Sequence, residues 1–187
     1  MLRRVTFAAL ITVLGLGLGA CESRTDKTDG GGVLLSVSDF DGLPVQVGVN
    51  NAVAAGGLVQ IEEITIQNIA KDPFGSTSQL MNVEMDSYEV TFTRADGGSR
   101  VPPSLVRDIF GVAPVNGTET YENLPVMSLE QLDTEPLSDL QFINGGFDRE
   151  TGDQTILLNF RLRFFGRTLS GDAVQTEQIG FTLEVVP

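Results

Sequence analysis

The chain contains no histidine and no tryptophan, and Cys21 is its only cysteine. Each absence removes a class of chemistry. Without imidazole there is no Ser-His-Asp triad, no His-bearing zinc site, and no side chain whose ordinary pKa lies near neutrality. A lone cysteine builds neither an intrachain disulfide nor a four-cysteine metal site. Basic residues are scarce: 12 Lys and Arg stand against 25 Asp and Glu, for a formal net charge of −13. Such a surface repels phosphate backbones and anionic headgroups, so nucleic acid is not an expected partner. Neither a Gly-x-Ser-x-Gly elbow nor a phosphate-cradling Gly-Lys-Ser/Thr loop occurs. No cofactor is implied.

What is present begins with an address. Met1-Leu2-Arg3-Arg4 is positively charged, Val5 to Leu18 is almost wholly apolar, and Leu18-Gly19-Ala20-Cys21 closes the segment. Charge, apolar stretch and small residues in that order form a secretory signal. The apolar stretch ends at Ala20 and is shorter than the ~20 residues a spanning helix needs. The residues after Arg3-Arg4 fit twin-arginine export poorly, so general secretion is expected.

Leu18-Gly19-Ala20-Cys21 resembles the lipobox of bacterial lipoproteins. The resemblance implies that residues 1–20 are removed and that the Cys21 thiol carries a diacylglycerol. The partner it implies is a membrane, reached through lipid on Cys21; two or three acyl chains give durable anchoring. In the enteric sorting rule an Asp after the cysteine retains the protein in the inner membrane. Here Glu22 follows, which favours the outer membrane of the cell envelope. Residues 22–32 carry no apolar side chain. With Cys21 they read as a flexible tether with a reach of roughly 17–20 Å.

Residues 33–187 read as one domain of strands and turns. The 21 glycines and eight prolines fit many turns. Val33–Ser38 and Leu43–Val49 are predicted strands, Asn50–Gly57 a loop, and Leu58–Asn68 a longer strand. In the last, Val59 and Ile61 share one parity while Ile64 and Ile66 share the other, which predicts a bulge near Glu62-Glu63. Leu80–Arg94 behaves alike: Met81, Val83 and Met85 on one face, then Tyr88, Val90 and Phe92 on the other. A bulge or a crossing between sheets follows. Pro102-Pro103 forbids a central strand there, and Pro125 makes Tyr121–Leu129 an edge strand. A short helical turn fits after Pro136.

The C-terminal hairpin is the clearest signal. Ile156, Leu158, Phe160, Leu162 and Phe164 alternate with Leu157, Asn159, Arg161 and Arg163, as a half-buried strand does. The chain turns over Gly166–Gly171 and returns with Ile179, Phe181, Leu183 and Val185 inward, after a parity change at Gln178-Ile179. The expected fold is all-β: an antiparallel β-sandwich of six to seven strands. Its length and layout resemble an immunoglobulin- or fibronectin-III-like domain, without the paired cysteines and core tryptophan of true immunoglobulin domains.

Acidic turns supply the weak calcium candidates. Asp39 and Asp41 precede Gly42; Asp148, Glu150 and Asp153 surround Gly152. Hard oxygen ligands suit Ca²⁺, although neither stretch completes a calcium loop, and acids also decorate turns because turns are wet. Asn116-Gly117-Thr118 fits a glycosylation sequon and equally an Asn-Gly turn. Arg161 and Arg163 share one strand face and form a binding patch, or blunt a strand face exposed to water, or pair with neighbouring acids. The expected function is a non-catalytic envelope lipoprotein offering its sandwich for contacts with envelope proteins or a structural role. The alternatives are a calcium- or carbohydrate-binding module and a hydrolase relying on carboxylates alone.

Overall fold

The computed structural model describes residues 31–42 and 44–187. The predicted signal peptide, Cys21 and all but the last two residues of the predicted tether lie outside them, as does Leu43.

Ten strands are present among the described residues: β1 (Val33–Asp41), β2 (Gln46–Gly48), β3 (Val59–Ala70), β4 (Val83–Arg94), β5 (Leu105–Asp108), β6 (Val112–Ala113), β7 (Gly117–Met127), β8 (Ile156–Thr168), β9 (Ala173–Gln175) and β10 (Ile179–Val186). Two short helices interrupt them, α1 (Val49–Ala54) and α2 (Leu129–Leu132). Antiparallel strands ordered β1-β3-β7 form one sheet. The second has seven strands: β2-β10-β8-β4-β5, with β6 on β4 and β9 on β8. The expected all-β sandwich is therefore observed. Ten strands replace the six or seven expected, because three very short strands lie within the turns. The β2–β10 pair is parallel, so the larger sheet is mixed.

The core lies between the sheets. Ile61, Ile64 and Ile66 of β3 and Leu124 and Val126 of β7 face Tyr88 and Val90 of β4 and Phe160, Leu162 and Phe164 of β8. Burying each such side chain contributes about 1.5–3 kcal/mol. Tyr88 also ties the sheets directly, its hydroxyl donating to the carbonyl of Pro125 at 2.6 Å. Burial pushes that phenol up to about 12, against a small lowering by Arg107.

The parity switches have distinct causes. In β4 the register against β8 shifts between Met85 and Ser87. Asp86 is the extra residue of a bulge, which re-aims the inward face from Met85 to Tyr88. In β3 the predicted bulge at Glu62-Glu63 is absent. The ladder runs from Ile61↔Leu124 to Glu63↔Glu122 with the same offset. β7 changes parity at the same level, through Asn123 at φ 53°, so both strands kink together. The actual register shifts lie at Ser38 in β1 and at Val59/Gln60.

Asn50–Gly57, expected as a loop, begins with α1. Two adjacent asparagines make a poor helix by propensity, but Val49 is fully buried and Val53 packs on the core, so packing overrides it. β7 starts at Gly117, earlier than predicted, and is an edge strand as Pro125 requires. Ile179 and Phe181 are half-buried, whereas Leu183 and Val185 are enclosed.

Strands of 12 and 13 residues set the two ends of the domain on the order of 40 Å apart. Gly31 lies beside Thr168 and Asp172 at one end. At the other lie α1, α2, the turns over Leu137–Leu140 and Phe142–Asn144, and the far tip of β4.

Candidate functional site

The densest polar chemistry sits at the end away from Gly31. Alternation along β4 continues inward past Tyr88, Val90 and Phe92 to Arg94, whose side chain is 2% exposed. A guanidinium there must be neutralised. Asp96 does so with a two-pronged fork, Nε–Oδ1 at 2.6 Å and Nη2–Oδ2 at 2.9 Å. Arg94 Nη2 also donates to Asp148 Oδ2 at 2.8 Å. Gly98 is required beside them, because a Cβ there would overlap the Arg94 guanidinium.

Asp148 is the hub. Its carboxylate is fully buried and accepts from Glu150 N, Thr151 N and Thr151 Oγ1, the last at 2.8 Å. Arg100 reaches it at 3.4 Å and extends the network to Asp139 at 3.3 Å and Glu135 at 2.7 Å. Glu150 caps residues 99–100, accepting from Ser99 Oγ at 2.5 Å, Ser99 N at 2.8 Å and Arg100 N at 3.0 Å. Arg149 closes the far side through Asp139 and Glu135. Three guanidiniums and five carboxylates thus fasten residues 94–100 to residues 135–139 and 148–150.

The electrostatics follow from these contacts. Burial alone would raise the Asp148 pKa, but the hydrogen bonds from Arg94, Glu150 N and Thr151 outweigh it and hold the group at about 2. Glu150 is likewise held at about 2, chiefly by Ser99 and the Arg100 amide. Asp96 is lowered, its burial being outweighed by Arg94 and by the amides of Leu157 and Gly98. Such carboxylates stay ionised at neutral pH and have no proton to donate.

Of the five calcium candidates, the structure brings Asp148 and Glu150 together, with guanidiniums as their partners. Asp153 offers its backbone carbonyl to Asp148 N, and its side chain is exposed. Asp39 and Asp41 lie on β1, each accepting from the next backbone amide. Among the described residues no group of three or more His, Cys, Asp or Glu is arranged to hold a metal. Asn116 occupies a turn at φ 58° and accepts from Ala70 N at 2.9 Å.

The ion-paired segment supports an apolar tip, Phe142-Ile143-Asn144-Gly145-Gly146-Phe147. Phe142 is 73% exposed and Ile143 88%. Asn50 Oδ1 fixes Phe142 N at 3.1 Å, and Asn144 Nδ2 donates to Ser138 O at 2.8 Å. Gly145 turns the chain at φ 119°, which favours glycine.

Sequence reasoning missed Arg94, Arg100 and this tip. For Arg94 a signal existed, since it continues the inward parity of Phe92. For Arg100 there is none, because its partners lie dozens of residues away, and for the tip there is none, because its exposure is set by the tertiary fold. No protein-family model matches the chain, and neither a curated protein nor a solved structure matches it significantly.

Proposed function

We propose that the protein is a lipid-anchored envelope lipoprotein whose non-catalytic β-sandwich presents its far end to a protein partner. The observation that carries this reading is the exposed Phe142-Ile143 tip on an ion-paired base, at the opposite end from Gly31. Large side chains exposed together mark interaction surfaces when their position is fixed. Fixing it in advance lowers the entropy lost on binding.

The lipobox supplies the other half. Lipid on Cys21 puts the end bearing Gly31 nearest the bilayer, and Glu22 favours the outer membrane. Net negative charge keeps the domain off anionic headgroups. The low pKa values of Asp148 and Glu150 argue against a hydrolase built on them, since one carboxyl of a catalytic pair must hold a proton near neutrality.

Two measurements test the two halves. Mass spectrometry of the mature protein should find diacylglycerol on an N-terminal Cys21; an intact Met1 refutes anchoring. A photo-crosslinker at position 142 in native envelopes should capture one protein reproducibly, and Ile143→Ser should abolish that capture. Capture unaffected by Ile143→Ser, or none in envelopes where the protein is anchored, removes the tip from the proposal.

A further inference from the structure

The larger sheet has an outer face that the proposed function leaves unused. β8 is an interior strand, flanked by β4 on one side and by β10 and β9 on the other. Its outward positions carry Asn159, Arg161, Arg163, Phe165 and Arg167. The spacing puts Arg161 and Arg167 about 20 Å apart. None of the three arginines forms an ion pair with a described residue, although Glu89 stands across from Arg163 and Glu84 across from Arg167. In a chain where acids outnumber bases two to one, that is a notable omission. Arg163 Nε is moreover buried without any hydrogen-bond partner, a donor that gains by acquiring an acceptor.

Two shallow cavities of about 300 Å³ lie along the same strand. Gly180, opposite Arg161, opens the first beside Asn159 and Thr182. The β4 bulge at Asp86 opens the second beside Arg167, Phe165 and Gln175. Arg161 in the first stands beside the neutral amide and hydroxyl of Asn159 and Thr182, whereas Arg167 in the second shares its cavity with the Gln175 amide and the Asp86 carboxylate.

From this arrangement we infer that the outer face of β8 binds an acidic glycan chain, its carboxylates held by Arg161 and Arg167 with Arg163 between them. Guanidinium forks match carboxylates bidentately. A peptide adding to a sheet needs a free edge for its backbone, and every strand around β8 here is already paired to it. A nucleic acid carries charge at every step, which Glu84, Asp86 and Glu89 alongside would repel; a glycan places neutral hydroxyl-bearing units between its charges. Asn159, Thr182 and Gln175 are there to meet those hydroxyls.

Calorimetry on the full chain in detergent at low salt tests this, with a hyaluronan oligosaccharide, in which every second sugar carries a carboxylate, long enough to span the three arginines as probe. A neutral chitin oligosaccharide of the same length and a polyglutamate peptide are the controls. The hyaluronan oligosaccharide should bind and weaken as salt rises; the neutral chain should not bind, and polyglutamate should bind at least about tenfold more weakly. Arg161→Gln and Arg167→Gln should each weaken binding about tenfold or more, and Arg161→Lys, which keeps the charge and loses the fork, should fall between. No heat with the hyaluronan oligosaccharide, unchanged affinity in both glutamine variants, or equal binding of polyglutamate overturns the assignment. The outcome is independent of whether Cys21 carries lipid.

Discussion

Arg94 and Arg161 stand on neighbouring strands of one sheet, three ladder steps apart, and are used in opposite ways. Arg94 has the inward parity of β4, so its charge enters the end of the core and is surrounded by Asp96, Asp148 and, at 4.0 Å, Glu150. Arg161 has the outward parity of β8, stays in water and has no ion pair. One-residue steps along a strand therefore decide whether a guanidinium is a fastener or an available ligand group. The fastened set holds the far-end loops in one arrangement, and the free set marks a surface with unspent capacity for an anion.

The sharpest way to break this contrast is Arg94→Met. Methionine keeps much of the apolar stem but leaves Asp96 and Asp148 without their main counter-charge. Breaking a buried pair from one side destabilises by about 3–5 kcal/mol. Urea denaturation should show a loss of that size; a loss below about 1 kcal/mol would mean that the network tolerates exposure and is no fastener.

Acid probes the same set more gently. The Asp148 carboxyl has a lower pKa folded, about 2, than its ordinary 3.8. Below that ordinary value the unfolded chain binds the proton first. The group's contribution is thus whole above about pH 4 and fades as pH falls toward 2. Thr151→Val removes one hydroxyl donor to Asp148 and should reduce stability by about 1 kcal/mol. Carboxyl NMR titration should then show the Asp148 pKa moving up toward its ordinary value. An unmoved pKa would show that Thr151 contributes nothing to holding the charge.

The same difference in parity explains what could be read from sequence. Strand β8 was legible because five apolar residues alternate without a break, and β4 because its apolar residues change parity once, at the Asp86 bulge. The Glu62-Glu63 switch was legible as a switch and misread as a bulge, since nothing in β3 reveals that Asn123 bends the partner strand equally. Helix α1 was hidden by Asn50 and Asn51, whose propensity opposes it until Val49 finds the core. The cap was invisible as a unit. Asp148 and Glu150 showed as acids around a glycine turn, the pattern of a cation loop, while the cations that meet them come from residues 94 and 100. Local sequence records a need for counter-charge and leaves its source to the tertiary fold.

The smallest effect is the most discriminating. Replacing Arg161 and Arg167 together by glutamine keeps the long polar stems on the outer face and removes two charges that no described carboxylate pairs with. Solvent and salt already screen Glu84 and Glu89 from that strand, and exposed charge neighbours not in contact contribute little. The double variant should match the parent in urea stability to within about 0.5 kcal/mol and respond no differently to salt. Because Gln cannot make the guanidinium fork and only Arg163 remains, any anion affinity of this face should fall about a hundredfold or more in a protein that is otherwise unchanged. A stability loss above about 1 kcal/mol would instead make these arginines part of the scaffold. The contrast with Arg94 would then reduce to depth of burial, and the outer face of β8 would lose its claim to be held in reserve for a ligand.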